Sequence, residues 1–462
     1  MNSYKKLSGL SIAILSALLT GCGGDAETLI IERDPIVEAP DDSDVGEGGA
    51  SGGDFTIESV GRLAVMSDMG ISIVDLDDGM QLDTFSLTFD GSSMYTSADS
   101  RYVVISSRNN DVVEFIDGGL WREDHVAHLH DYEQAPAMSD FVLTGSRPTH
   151  IGSFDGQMTV FYDGDSEAGI PASVQVLTDG DVTSENDAIP TLNYNVNMHG
   201  VAKAHDDILL STIRRDDSES TSNTKVLPDQ IGVYHLHDGE YELEQTLEQA
   251  CPDLHGAAQN ETFFVFGCAD GVIIAHAHDD EFESVKVANI SELDGLRVGS
   301  VYGHKEAELF LGVASSRATG ERVLVSINPS SNEMEVVDWE SEANASPLSY
   351  AFSYDGEALL ILDDAGYVSK YELHMHDGEV EFEFEGQLQI ADDVSSMPEG
   401  MNFSMTMAQN DHIVFVADPI AQHVLHINID TLEIESDTEL DVVPSGIVWV
   451  GIEEDEHDHD HD

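Results

Sequence analysis

Short apolar runs separated by Asp-Gly, Asn-Asp and Gly-rich turns recur along this chain roughly every 45–55 residues, the period of four-stranded β-propeller blades. The first unit shows the texture, with strand-length runs at 63–66, 71–74 and 84–87. Runs equivalent to 63–66 return at 102–105, 158–161, 208–211, 263–266, 309–312, 358–361 and 412–415. No stretch carries the 3.6-residue periodicity of a long helix. The expected fold is all-β: a β-propeller of eight blades, or of seven if one irregular unit is misread. The run 445–450 would then supply the first strand of the opening blade and close the ring. Innermost strands of a propeller surround a central channel, so side chains distant in sequence can converge there.

The flanks read differently. Lys5-Lys6 followed by an apolar stretch over 7–19 forms a signal peptide, too short to span a bilayer as a mature helix. It ends in Leu19-Thr20-Gly21-Cys22, which resembles a bacterial lipobox, so residues 1–22 are expected to leave Cys22 lipidated. Gly23 after the cysteine fits sorting to the outer membrane. Residues 23–54 are Gly, Pro, Asp and Glu with few large apolar side chains, an acidic disordered tether. The propeller is expected over 55–452, with a His/Asp tail at 453–462. These features describe a periplasm-facing protein held to the membrane by its lipid alone.

Acidic residues number 90 against 18 basic ones, a formal charge of −72. That excess is first of all a solvated surface, with attraction of cations as a consequence. It repels a phosphate backbone and so excludes nucleic acid as a partner. Anionic lipid head groups are disfavoured for the same reason.

With Cys22 acylated, Cys251 and Cys268 remain, and an exported compartment permits their single pairing. Residues 254–258 and 262–267 read as strands joined by a turn at 259–261. Folded antiparallel, they bring the two cysteines nearly opposite each other at the open end of the hairpin. A structural disulfide is expected there, since a redox pair would more typically be Cys-x-x-Cys.

Twenty histidines are gathered rather than scattered. Just before three consecutive second strands stand His150, His199 and His255, the latter two followed by Gly200 and Gly256. Sharing one repeat position, they should lie on adjacent inner strands at one side of the channel mouth. His125, His128 and His130 fall in a segment before the third blade, flanked by Asp124 and Asp131, and read as a loop that wraps a cation or covers the channel. Imidazole and carboxylate suit zinc, so these six histidines are the candidate ligands of a tight zinc site. His457, His459 and His461 in the tail form an auxiliary, weaker collector. The pairs His235/His237, His276/His278 and His374/His376 each place two imidazoles on one strand face, and a solvated face explains them more simply.

Four segments together resemble the AztD-type periplasmic zinc metallochaperones: 121–130, Arg147-Pro148-Thr149-His150, His199-Gly200-Val201, and the run from Cys251-Pro252-Asp253-Leu254-His255-Gly256 to Phe266-Gly267-Cys268. That resemblance implies a β-propeller that binds zinc through the loop and inner-strand histidines, and a Cys251–Cys268 disulfide. It also implies delivery of zinc to the solute-binding protein of a zinc ABC transporter, a carrier rather than an enzyme. Two other classes compete. A lipoprotein scaffold for other proteins would explain the lipobox and the fold, though not three histidines at one repeat position. A metal-dependent propeller hydrolase or lyase would need a general base such as Glu123 or Asp124, and no hydrolase signature or serine elbow is present.

Overall fold

A computed structural model describes residues 31–32, 61–124, 129–214, 227–278, 281–339, 345–376 and 379–454. Cys22, His125, His128, His457, His459 and His461 lie outside the described residues.

Eight units of four antiparallel strands follow one another. The eight apolar runs read from the sequence are all second strands of these units, from Gly61–Ser67 to Ile413–Asp418. Second strands read as continuous apolar runs because both of their faces are covered: Tyr102–Ser107 and Ala358–Asp363 are buried at every residue. Outermost strands carry the charge instead, as in Glu433–Glu439 and Gln81–Phe85, which are exposed almost throughout. An acidic outer strand stays soluble and discourages pairing with another chain.

Each blade is apolar on two faces, and among the described residues a buried cluster fills each of the eight junctions between neighbours. One joins Leu210 and Val233 of the fourth blade to Phe266 and Ile273 of the fifth. Another joins Leu63 and Trp449 of the first to Phe415 and Val424 of the eighth. The third and fourth blades also touch at their outer edges, where Thr191 pairs with Glu240.

The C-terminal strand Gly446–Gly451 is the inner strand of the first blade, paired antiparallel with Gly61–Ser67 from Gly61↔Gly451 to Met66↔Gly446. Ring closure therefore rests on hydrogen bonds between the two ends of the folded body. Trp449 is 1% exposed and sits in the closing junction. Gly61 leaves room for its indole, since a methyl there would meet the indole nitrogen.

Cys251 and Cys268 are disulfide-bonded in the fifth blade, with Cα atoms 5.0 Å apart. The inner strand of that blade, Ala257–Gln259, is shorter than the 254–258 run suggests, and its partner is Phe263–Cys268.

Two features depart from the reading of the flanks and the loop. Ile31–Glu32, within the segment taken as a disordered tether, pairs with Leu129–Glu133. His130 lies on that strand, not in a loop, and faces Glu123 of Leu120–Asp124 across a hairpin inserted between the third and fourth strands of the second blade.

Replacing Trp449 with alanine should cost about 3–5 kcal/mol, the usual range for truncating a buried aromatic. Guanidinium unfolding measures it, and a loss under about 0.5 kcal/mol would contradict the closing role given to this strand.

Candidate metal centre

Three inner segments bring His150, His199 and His255 together. His150 is on the third blade's inner strand, Pro148–Phe154, next to a register shift between Pro148 and His150. His199 and His255 come just before the inner strands Ala202–His205 and Ala257–Gln259. The Nε2 atoms of His150 and His199 are 3.3 Å apart, and those of His199 and His255 are 3.1 Å apart. Two imidazole nitrogens bound at 2.0–2.1 Å to one tetrahedral zinc stand roughly 3.3–3.4 Å apart, so this spacing is that of a metal's ligands.

The backs of two rings are fixed. Nδ1 of His199 is 3.0 Å from the Asp163 carboxylate, and Nδ1 of His255 is 2.9 Å from the Gly299 carbonyl. Carboxylate and carbonyl oxygens only accept, so each Nδ1 donates its proton, and with the ring neutral, the form that binds metal, the Nε2 lone pair faces inward. Two lone pairs 3.1 Å apart repel, and a cation between them removes the repulsion. Asp163 is held in turn by Arg108, 2.7 Å away.

Burial, followed by the fields of His199 and His255, pushes His150 down to about 3. Burial also lowers His255, against the hydrogen bond to Gly299. Both rings are therefore neutral at pH 7, the state in which imidazole binds metal.

The two glycines have steric reasons. A methyl on Gly256 would stand 2.7 Å from the Ser300 Cα and 2.8 Å from the Gly299 oxygen, which are rigid backbone of the next blade. A methyl on Gly200 would meet the Thr212 hydroxyl and the Phe161 ring. Close blade packing at these points is what carries each histidine to its neighbour.

His130 is not part of this grouping. Its hairpin stands by the turn between the second blade's first two strands, where Arg101 covers the Trp121 ring at 4.1 Å and Trp121 stacks on Tyr132. In the third blade the equivalent turn is Asp155–Gly156, at the far end of the strand that His150 begins, roughly 15 Å away at the rise of a β-strand. His130 is thus at the opposite mouth, 8% exposed, and its neighbour Asp131 is bound by Arg122 at 2.7 and 3.2 Å. Of the six expected ligands, His150, His199 and His255 share one end and His130 lies at the other.

That second mouth opens into a cavity of about 1520 Å³ lined by Asp99, Asp155, Glu306, Asp355 and Glu453 among others. Burial, then Glu453 and Asp155, raises Asp99 to about 6. Lys203 also lines the cavity, and burial lowers it to about 8. At the rim His412 bridges Asp355 and Asp430, 2.9 Å from each.

The outer pairs have their own partners. His235 and His237 both lie near Glu244, at 3.6 and 3.2 Å. Glu372, His374 and Glu385 bring three donor atoms within 4.8 Å of one another, but Lys370 already pairs with Glu372. Asp163 and the Gly299 carbonyl escaped the sequence reading, since a carboxylate in an Asp-Gly turn and a backbone oxygen carry no signal of their own.

Replacing Gly256 with alanine presses on the carbonyl that holds His255, and loss of such a support lowers metal affinity about 10–100-fold. Zinc titration of the folded variant checks this, and an affinity equal to the parent's would show that the packing does not govern the site.

No protein-family model matches the chain. It is 21% identical over 390 residues to the zinc chaperone AztD of Citrobacter koseri, covering 82% of this chain and 84% of that one. The structure of apo AztD from Citrobacter koseri superposes with a TM-score of 0.68 at 19% identity, covering 85% of this chain and 98% of the other. A second crystal structure of Citrobacter koseri AztD gives 0.69 at 19% identity, covering 86% and 100%. These likenesses extend over nearly the whole propeller, and the fold is the same.

Proposed function

We propose that this protein is a periplasmic zinc carrier, a metallochaperone that holds zinc at His150, His199 and His255 and passes it to the solute-binding protein of a zinc ABC transporter. One observation carries the reading: three Nε2 atoms converge at metal-ligand spacing, with two of the rings locked so that their lone pairs face inward. Similarity to a zinc chaperone over most of both chains supports zinc as the cargo and a carrier in place of an enzyme. Lipidation at Cys22 would tether the carrier to the membrane, and His457, His459 and His461 would collect zinc weakly.

Three histidines leave a tetrahedral zinc with one open position. A ligand from the acceptor enters there, and exchange proceeds one bond at a time without free zinc. His130 belongs to the other mouth and takes no part in this step.

Replacing His199 with alanine removes the ligand that lies between the other two. Zinc affinity should fall by about 100-fold or more, since the loss of a supporting residue alone costs about 10–100-fold. The variant should still fold, because the blade junctions do not use this ring. Undiminished affinity would sink the site. For the carrier role, zinc-loaded protein is mixed with an apo solute-binding protein in the presence of a chelator. Transfer should outpace chelation; if the chelator takes all the zinc, the protein is a store and not a carrier.

The pH dependence follows from the depressed histidines. A lowered pKa keeps the ring neutral to lower pH, so protons compete with zinc later than at an ordinary imidazole near 6.5. With His150 at about 3 and His255 also lowered, two of the three ligands resist protons below the ordinary imidazole range, so the triad should lose its zinc at lower pH than the tail does. Tail-bound zinc should leave as pH falls through about 6.5. Competition titrations on a chain truncated after Glu454 test this, and a triad midpoint near 6.5 would contradict it.

A further inference from the structure

Arg297 and Arg317 stand beside the histidine triad, and among the described residues neither guanidinium reaches a carboxylate at ion-pair distance. Arg297 opens the sixth blade's inner strand, Arg297–Tyr302, paired with Ser315 of the second strand, and Arg317 follows two residues later, so both are at the triad's end of the ring. Gly299, whose carbonyl holds His255, is two residues from Arg297, and a methyl built on Gly299 would lie 3.3 Å from the Arg297 guanidinium. In a chain so rich in acid, Arg62, Arg101, Arg108, Arg122 and Arg147 each reach a carboxylate. Among the described residues neither the Arg297 nor the Arg317 side chain makes a hydrogen bond or an ion pair. Asp253 acts on Arg297 without coming to ion-pair distance, and the two arginines act on each other and on His255.

Charge makes this arrangement informative. Three neutral imidazoles leave the two positive charges of a zinc ion uncompensated, and the Asp163 carboxylate behind His199 is already paired with Arg108. Two adjacent guanidiniums add to the excess. A planar guanidinium is matched to a carboxylate, which it binds through parallel N–H donors. An anion here would complete the coordination shell and balance the charge together.

We propose that Arg297 and Arg317 form an anion subsite that holds a carboxylate against the open coordination position of the metal on His150, His199 and His255. The inference rests on the metal reading of the triad. The carboxylate is either a free small acid or an acidic side chain of a docking protein, and its chemistry is the same in both cases. An acceptor that offers a carboxylate ligand is thereby guided to the one position through which zinc can leave.

The test uses the full chain loaded with one equivalent of Co²⁺, whose visible bands report the ligand at the open position. Acetate and, separately, a glutamate-containing tripeptide are titrated in. Saturable band shifts are expected in the parent, with the midpoint raised at least about tenfold in Arg297→Gln/Arg317→Gln, a loss of about 1.4 kcal/mol. Response to acetate assigns a free carboxylate; response to the peptide alone assigns a side chain. Where the double variant takes up no cobalt, the exposed Arg317→Gln variant makes the comparison. Parent bands that move with neither probe, or a variant midpoint within about twofold of the parent's, overturn the subsite. A parent that takes up no cobalt sinks the metal reading, and the subsite with it, which is a different result from cobalt bound but indifferent to carboxylate.

Discussion

Everything in this fold depends on an antiparallel pairing between Gly446–Gly451 and Gly61–Ser67. Each blade has two apolar faces, and a row of such blades would leave a face open at both ends. Closing the row into a ring covers every face, and the last junction is made by Leu63, Val65 and Trp449 against the eighth blade. Because that closure is non-covalent, the strength of this one junction decides whether the other seven hold their geometry. The ring in turn fixes the distance between inner strands, and so the 3.1–3.3 Å spacing of the histidine nitrogens.

The closed ring gives the molecule two unlike ends. At one, neutral histidines stand among arginines, with Asp163 and the Gly299 carbonyl aiming two of the rings. At the other, carboxylates line a large cavity, and their mutual repulsion joins burial in raising Asp99. Cations are drawn to the acidic end by field alone, whereas the histidine end offers coordination. Lys203, on an inner strand with its ammonium near Gly152 of the neighbouring blade, puts a positive charge between them. That charge favours entry and departure of a metal from the histidine end itself, where an acceptor can reach it.

The repeat was legible because burial on both faces forces a continuous apolar second strand in every blade, and all eight such runs fell where the sequence put them. His150, His199 and His255 were legible for a related reason. A shared repeat position becomes a shared position on the ring, whatever the distance along the chain. His130 was misjudged because nearness in sequence to the third blade is not nearness in space. The insertion leaves the second blade after its third strand, and a third strand ends at the mouth opposite to the one where the histidine segments enter.

Composition and periodicity therefore determined the class of fold, a count of eight blades with seven as the alternative, the means of closure and which three histidines share a level, since each is a local or periodic property of the chain. Only the tertiary structure decided which mouth each insertion serves, which oxygens hold the imidazoles and which arginines are left without acids. Those depend on contacts between blades about 50 residues apart, and a repeat period carries no record of them.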